Sequence, residues 1–244
     1  YPKPCNCFGL GINFNRKKSI VHLWNGICLN KCPWIATLEM PDHMGYGRDS
    51  LLLKLKRHYW KSKYCKKIIF TSKWAKEHTL KAWEKYYDTN AYQLILNKCT
   101  ILHPPQKLLD VTEITQSTDT IKLLFVGGDF YRKGGLELVK TVDKLIKEKK
   151  LKFELTIISG MNKSDYPVNT DEETHQSVLE TIGNNKSIIL NTLLPNKEVL
   201  SKMRESHILC FPTLLDTYGY VVLESMASMT PVLSTTQRAL SEVN

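Results

Sequence analysis

Two cations follow a glycine pair near the middle of the chain. Gly127 and Gly128 come directly after the apolar run Ile121–Val126, and Arg132 and Lys133 follow shortly after them. Glycine lets the backbone approach a ligand closely, and the start of a helix favours anions. A guanidinium fork beside a compact ammonium suits a diphosphate. The spacing matches neither G-x-G-x-x-G nor G-x-x-x-x-G-K-[ST], which disfavours a dehydrogenase fingerprint and an NTPase P-loop.

Two carboxylates lie eight positions apart near the end of the chain. Asp216 follows the apolar run Ile208–Phe211, and Glu224 lies inside a helix predicted over residues 218–228. Carboxylates accept hydrogen bonds from sugar and ribose hydroxyls, while the free N–H groups and the dipole of a helix start bind phosphate oxygens. One loop is therefore suited to all three parts of a nucleotide sugar. Its other candidate binding residues are Thr217, Tyr218, Gly219 and Tyr220.

Both features also have a structural interpretation. A glycine-rich turn can simply carry exposed cations, and Asp216 can lie in the first turn of a helix without any ligand. Glu224 is harder to explain in that way, because a half-buried glutamate among Val, Leu and Met is costly without a partner. The two motifs together therefore favour a ligand site.

Short apolar, β-branched runs alternate with longer helical patterns along the chain. This alternation predicts an α/β fold, with parallel sheets and crossover helices. A polar, proline-led stretch begins at His103, so we expect two domains, residues 1–105 and 121–244, joined by a linker over 106–120. The predicted strands cover residues 19–24, 34–40, 67–71, 99–103, 121–126, 155–158, 187–190, 208–211 and 231–234. The predicted helices cover residues 49–64, 74–86, 136–149, 171–182, 196–204 (with Asn196 as N-cap) and 218–228.

The order of these motifs resembles the C-terminal domain of glycosyltransferase family four, a large group of retaining GT-B enzymes. The resemblance rests on FVGGDFYRKGG, CFPT and DTYGYVVLESMASMTPVLST, all within residues 121–244. Over residues 19–105, similarity to the later strands of that family's acceptor-side domain rests on IVHLW, WIATLEM, KKIIFTSKWAKE and CTILHPP. The resemblance implies a GT-B fold, in which two Rossmann-like domains with parallel sheets face each other across a cleft.

By position, the resemblance implies a role for each residue of the two motifs. Arg132 and Lys133 match the pair that contacts the donor diphosphate. Asp216 stands where the family has the first Glu of a Glu-x7-Glu pattern, which meets the donor sugar. Glu224 matches the second, which binds the ribose. Residues 218–220 match the segment whose backbone N–H groups contact phosphate and sugar.

The chain departs from the family pattern at three places. Asp216 is one methylene shorter than the family's Glu, so we expect an altered donor-sugar preference or activity. The run Ser228-Met229-Thr230 replaces a small residue and Gly before the proline. The first strand of the acceptor-side domain and the closing strands of the donor domain are not visible in the sequence. We therefore expect a fragment that lacks both ends.

The catalytic histidine of many relatives has no clear counterpart here. Glu39 lies closest to its expected place, and His43 follows in the loop of residues 40–45. We regard His43 as a candidate substrate contact, although a lone loop histidine also fits a structural or solvent-exposed role.

The net charge of +10 is confined to the first half of the chain. Residues 1–120 hold 19 Lys and Arg against 9 Asp and Glu, whereas residues 121–244 hold 15 of each. A basic half suggests an anionic partner, or simply solubility. The stretch from Lys54 to Lys67 is a candidate contact to an anionic membrane or a polyanionic acceptor; the alternative is a surface helix whose lysines snorkel. No nucleic-acid-binding motif is present, and we expect no nucleic-acid partner.

The cysteines indicate the cellular compartment of the protein, and the spacing of its acidic residues indicates whether its site uses a metal ion. Seven scattered cysteines, an odd number, fit reduced thiols in a cytoplasmic protein better than a disulfide framework. The spacing of Cys5, Cys7, Cys28 and Cys32 is not that of a usual zinc site. The chain contains no Asp-x-Asp pair, which fits a metal-independent GT-B site. We expect no cofactor and no metal, and a cytoplasmic protein, peripheral at the membrane if residues 54–67 bind lipid.

These features together predict an enzyme that moves a sugar from a UDP-, GDP- or ADP-sugar to a hydroxyl of a glycan, a lipid or another acceptor, with retention and without a metal. One alternative is a degenerate, non-catalytic module that binds nucleotide sugars. Another is a basic protein that binds polyanions. A Rossmann-fold oxidoreductase is disfavoured by the absence of G-x-G-x-x-G.

Overall fold

Each half of the chain builds one parallel sheet in the computed structural model. The structure describes residues 20–29, 31–39, 51–107, 119–149, 151–162 and 170–243. The chain divides into two units, Tyr1–Pro104 and Pro105–Asn244. Most of the linker predicted over residues 106–120 lies outside the described residues, as does His43.

The first unit is a four-stranded parallel sheet with helices between its strands. Its strands pair in sequence order. A row of three indoles fills the core, with ring centroids 5.4 Å apart for Trp34 and Trp60 and 5.5 Å apart for Trp60 and Trp83. The strands are β1 (Val21–Trp24), β2 (Trp34–Leu38), β3 (Cys65–Phe70) and β4 (Cys99–Ile101). The helices are α1 (Leu51–Trp60), α2 (Lys73–Glu84) and α3 (Thr89–Leu96).

The second unit is a five-stranded parallel sheet with the order β7-β6-β5-β8-β9. Its strands are β5 (Ile121–Val126), β6 (Phe153–Ile158), β7 (Ile188–Asn191), β8 (Ile208–Phe211) and β9 (Val232–Ser234). Its helices are α4 (Gly135–Lys149), α5 (Glu172–Asn184), α6 (Asn196–Glu205), α7 (Tyr220–Ala227) and α8 (Leu240–Val243). The chain runs outwards from β5 to β7, then returns to the other side of β5 through β8. The strand order therefore reverses between β5 and β8, and such a point opens a crevice beyond the carboxyl ends of the strands.

Neighbouring apolar side chains of β5 point to opposite faces of this sheet and pack in the core on each side. Phe125 packs with Val139 of α4 on one face, and Leu124 packs with Val222 of α7 on the other; all four are buried. Successive strand residues point to opposite faces, so a continuous apolar run is the pattern of a strand covered by helices on both sides. This packing fixes the ends of β5 and β8 side by side.

The N-cap of α6 and the first residue of α7 differ from the prediction. Asn196 is the first residue of α6 and not its N-cap, because Pro195 takes the cap position with φ −58° and ψ 147° and makes no side-chain cap hydrogen bond. Helix α7 begins at Tyr220 and not at residue 218, because Gly219 at its N-cap has a left-handed backbone, with φ 91°.

Helix α3 was not predicted from the sequence. The side chain of Asp88 caps it by accepting a hydrogen bond from the N–H of Ala91 at 2.9 Å. Across the described ranges, no helix has the length and apolar character needed to cross a bilayer.

Cys28 and Cys32 are both buried in the first unit, with their Sγ atoms 3.6 Å apart. Cys5 and Cys7 lie outside the described residues. The described part of the chain holds no cluster of three or more His, Cys, Asp or Glu that could hold a metal ion.

Candidate functional site

A pocket of about 300 Å³ lies beyond the carboxyl ends of β5 and β8, at the point where the strand order reverses. Its polar wall carries one cation and two carboxylates, and its apolar wall comes from the strand ends and from α7. The lining residues are Val126, Gly127, Lys133, Phe211, Asp216, Thr217, Tyr220, Val221 and Glu224. Six of them, namely Gly127, Lys133, Asp216, Thr217, Tyr220 and Glu224, are among the site residues predicted from the sequence.

The glycine-rich turn between β5 and α4 is packed tightly against its surroundings. Gly134 has φ 79°, and a Cβ atom there would overlap the carbonyl group of Pro212, just after β8. A Cβ at Gly135 would overlap the ring of Phe130. Only glycine combines a left-handed backbone with such close approach, so Gly134 lets the turn pack against the loop that follows β8, and Gly135 lets it pack against Phe130.

The first two glycines of the turn have different surroundings. A Cβ at Gly127 would lie 3.1 Å from Cγ of Lys133, so the glycine leaves room for the lysine stem. Gly128 is exposed, and a Cβ there would meet no atom of the described chain within 4 Å. Gly128 does not line the pocket.

Arg132 joins the glycine-rich turn to the loop after β8. Its Nε and Nη2 lie 2.7 and 2.6 Å from Oδ2 of Asp129, and its Nη1 donates a hydrogen bond to the carbonyl oxygen of Leu215 at 2.7 Å. The guanidinium is therefore engaged with the protein next to the pocket and is not part of its lining. The sequence analysis gave Asp129 no role, although its position three residues before Arg132 is a spacing at which side chains meet on a helical turn.

Lys133 and Asp216 form a buried ion pair in the polar wall. Their side chains are 15% and 8% exposed, so the pair is largely removed from solvent. The lysine Nζ also lies 5.2 Å from the centroid of the Phe211 ring. A lysine held against a pocket wall in this way supplies a localised positive charge in a weakly solvated place.

The backbone just before α7 is held by the carboxylate of Asp216. Its Oδ1 accepts hydrogen bonds from the N–H groups of Tyr218 at 3.1 Å and Gly219 at 2.9 Å. Gly219 has φ 91°, a backbone that other residues rarely adopt, and a Cβ there would also overlap the end of the Leu240 side chain in α8. Tyr218 is buried, and its ring centroid lies 5.2 Å from that of Tyr220, which lines the pocket.

Glu224 is the half-buried carboxylate of the pocket. Burial raises its pKa above the ordinary value of a glutamate. None of the described residues donates a hydrogen bond to this carboxylate or forms an ion pair with it. Its oxygens therefore remain acceptors for hydroxyl groups of a ligand in the pocket.

Sequence comparison places this site within a known family. The family described as Glycosyl transferases group 1 matches residues 120–244, which is half of the chain and includes every residue of the pocket. The sequence matches no curated protein.

Several solved structures share the fold. S. aureus TarM, in a complex with fondaparinux, alpha-GlcNAc-glycerol and UDP, has a TM-score of 0.61 at 10% identity, over 89% of this chain and 42% of that one. A trehalose-6-phosphate synthase has a TM-score of 0.58 at 10% identity, over 91% and 59%. WaaG, a glycosyltransferase involved in lipopolysaccharide biosynthesis, has a TM-score of 0.53 at 16% identity, over 89% and 60%. The chain thus spans about two-fifths to three-fifths of these structures, and its α/β fold is that of GT-B glycosyltransferases.

Proposed function

Because this chain belongs to the glycosyl transferases group 1 family, we propose that it forms a large part of an enzyme that transfers a sugar from a nucleoside diphosphate sugar to a hydroxyl group. The donor is a UDP-, GDP- or ADP-sugar, and the acceptor is a glycan, a lipid or another hydroxyl compound. The second unit binds the donor. The anomeric configuration of the donor is retained in the product.

The observation that carries this proposal is the composition of the pocket between the ends of β5 and β8. It combines a buried lysine, a helix start and a half-buried glutamate within about 300 Å³. Lys133 and the dipole of α7 suit a diphosphate, and Glu224 suits the hydroxyls of a ribose. A diphosphate and a ribose are both parts of a nucleotide sugar. The residues suited to them lie together at the position where open parallel sheets bind ligands.

Catalysis in this proposal is electrostatic stabilisation of the departing diphosphate. As the bond to the anomeric carbon breaks, negative charge grows on the diphosphate, and Lys133 and the start of α7 stabilise that charge. The acceptor hydroxyl enters on the same face, and a phosphate oxygen of the donor takes its proton. No nucleophilic side chain is assigned. Arg132 contributes by fixing the loop after β8 through Leu215 and Asp129.

We further propose that the reaction needs no metal. The support is a sequence without an Asp-x-Asp pair and a pocket wall that already presents a cation. A side-chain ammonium in a weakly solvated wall can neutralise a developing negative charge. Turnover that continues in excess EDTA would agree with this; turnover restored only by Mg²⁺ would contradict it.

Donor turnover tests the proposal. The chain is incubated with UDP-, GDP- and ADP-glucose with water as the acceptor, and proton NMR follows the release of nucleoside diphosphate and the anomer of the glucose formed by hydrolysis. A retaining enzyme releases the anomer of the donor first, before mutarotation, and Glu224→Gln slows that release. Binding without release favours the non-catalytic nucleotide-sugar module. Release of the opposite anomer contradicts retention.

An anionic lipid surface is the proposed second partner, bound by the first unit. Lys56 is buried and donates a hydrogen bond to the carbonyl oxygen of Asn25 at 3.1 Å, so it is not available for this contact. Exposed basic side chains near a membrane each add to binding of anionic lipid. The exposed lysines between residues 54 and 67 are Lys54, Lys61, Lys63, Lys66 and Lys67.

Vesicle sedimentation tests this contact. Changing Lys61, Lys63 and Lys66 to Glu is expected to reduce binding to phosphatidylserine vesicles, with binding to phosphatidylcholine vesicles low throughout. The matched control changes Lys144 and Lys147 of α4, which are 69% and 66% exposed. Equal binding by the triple variant and the wild-type protein contradicts the proposal.

A further inference from the structure

Both oxygens of the Asp216 carboxylate are engaged inside the protein. Oδ2 forms the ion pair with Lys133, and Oδ1 accepts hydrogen bonds from the N–H groups of Tyr218 and Gly219. The carboxylate is also buried, with 8% of the side chain exposed. A negative charge of the chain itself therefore already lies between the cation of the pocket and the start of α7.

The groups held by Asp216 are those that attract a diphosphate. Lys133 is the cation of the pocket lining, and the N–H groups of Tyr218 and Gly219 lie just before α7, where the helix dipole favours phosphate oxygens. A diphosphate carries more charge and more acceptor oxygens than one carboxylate, so it competes for the same donors. A diphosphate that binds Lys133 shares the three N–H donors of the ammonium with Asp216 and therefore weakens the existing ion pair.

We infer that Asp216 is a positioning residue, an internal counter-ion that holds Lys133 and the backbone N–H groups just before α7 until a diphosphate displaces it. This inference rests on the proposed donor site and deepens it. It also differs from the role that family resemblance implies for this position, which is contact with the donor sugar.

The length of the side chain explains why an aspartate can do this. Oδ1 bonds to the N–H groups two and three residues ahead, a geometry that short acidic side chains adopt at turns and helix starts. A glutamate is one methylene longer, and it is the short side chains of Asp and Asn that hydrogen-bond to the backbone two residues ahead. The Asp found here in place of the family's Glu therefore suits a carboxylate directed at its own backbone.

Calorimetric titration with inorganic pyrophosphate tests the inference, because pyrophosphate carries the anionic part of the donor without sugar or base. Asp216→Asn keeps an oxygen that can accept from both N–H groups and removes the charge that faces Lys133. We expect this variant to bind pyrophosphate about tenfold more tightly than the wild-type protein. Asp216→Glu keeps the charge and gives no such gain.

The matched control is Asp143→Asn on α4. Asp143 also forms an ion pair, with Lys147 at 2.9 Å, but it does not line the pocket. This control is expected to bind pyrophosphate as the wild-type protein does. Equal binding by Asp216→Asn and the wild-type protein, including no binding by either, overturns the inference.

The outcomes separate the inference from the proposed function. If Asp216 instead contacts the donor sugar, Asp216→Asn binds pyrophosphate as the wild-type protein does and loses affinity only for the nucleotide sugar. The proposed function fails when the wild-type protein binds none of UDP, GDP and ADP, whatever the pyrophosphate result. If Asp216→Asn does not fold, NMR of the wild-type protein decides: the amide signals of Tyr218 and Gly219 must shift as pyrophosphate saturates, and unmoved signals overturn the inference.

Discussion

Gly134 lies so close to Pro212 that a Cβ atom on the glycine would overlap the carbonyl group of the proline. The contact joins the turn after β5 to the loop after β8, the two segments that build the polar wall of the pocket. Gly134 also has a left-handed backbone, with φ 79°. The shape of the pocket therefore depends on a residue that does not line it.

Gly134→Ala is expected to destabilise the protein by about 2 kcal/mol or more, since alanine adds both a clash and backbone strain. Urea denaturation measures the loss. The control is Gly128→Ala in the same turn, where a Cβ meets no described atom within 4 Å. Equal stability of the two variants would contradict the packing described here.

Arg132→Lys is expected to loosen the loop after β8. A lysine cannot reproduce the fork that contacts both Asp129 and the carbonyl oxygen of Leu215. Amides of residues 213–219 are then expected to exchange hydrogen about tenfold faster, with α4 unchanged. Arg204→Lys on α6 is the control. If Arg132 instead contacts the diphosphate directly, nucleotide affinity falls while exchange in the loop stays as in the wild-type protein.

Lys133→Met leaves the buried carboxylate of Asp216 without its cation. We expect a loss of about 2 kcal/mol in the free energy of unfolding, because an unpaired buried charge is unfavourable. Adding Asp216→Asn removes that charge, so the double variant is expected to regain most of the loss in urea denaturation. A double variant as unstable as Lys133→Met alone would show that the ion pair is not the cause.

Glu224→Gln is expected to stabilise the ligand-free protein at neutral pH. Burial raises the pKa of Glu224, so the folded state binds its proton more tightly than the unfolded state does. The ionised carboxylate therefore lowers stability as pH rises from the ordinary range of a glutamate through the raised pKa. The side chain is only half-buried, and solvent screening keeps the gain on the order of 0.5 kcal/mol.

The pH dependence of thermal unfolding checks this sign. The gain in Glu224→Gln is expected to disappear below about pH 4, where the glutamate is protonated in both states. Glu205→Gln is a control of opposite sign, because the hydrogen bond from Lys202 lowers the pKa of Glu205. A Glu224→Gln variant that is less stable than the wild-type protein at neutral pH would contradict the prediction.

The strands at the centre of the second sheet were predicted to the residue. The predicted ranges coincide with β5 (Ile121–Val126) and β8 (Ile208–Phe211) because both are almost entirely apolar, with three consecutive buried residues each. Helix α3 (Thr89–Leu96) was missed because it is short and its sequence signal is mainly the capping Asp88. The start of α6 at Asn196 was predicted correctly, but its N-cap was not, because Asn196 is a good cap by type whereas Pro195 takes that position.

The grouping of the site residues could also be predicted, since Lys133 and Asp216 each follow a strand of the same parallel sheet. The arrangement around Arg132 could not. Its guanidinium donates a hydrogen bond to the backbone carbonyl of Leu215, 83 residues away. Every residue has such a carbonyl, so the residue types in the sequence do not indicate this contact. The same holds for Asp216, whose Oδ1 is directed to the backbone N–H groups just before α7.

Calorimetric titration of the chain with UDP, GDP and ADP tests the donor site most directly. The wild-type protein, Lys133→Met and Glu224→Gln are compared, with Lys147→Met as a control at an exposed ion pair of α4. We predict that one nucleoside diphosphate binds, that both pocket variants lose about tenfold or more in affinity, and that the control binds as the wild-type protein does. Binding of none of the three nucleotides, or binding that both pocket variants leave unchanged, would contradict the assignment of this pocket to a nucleotide-sugar donor.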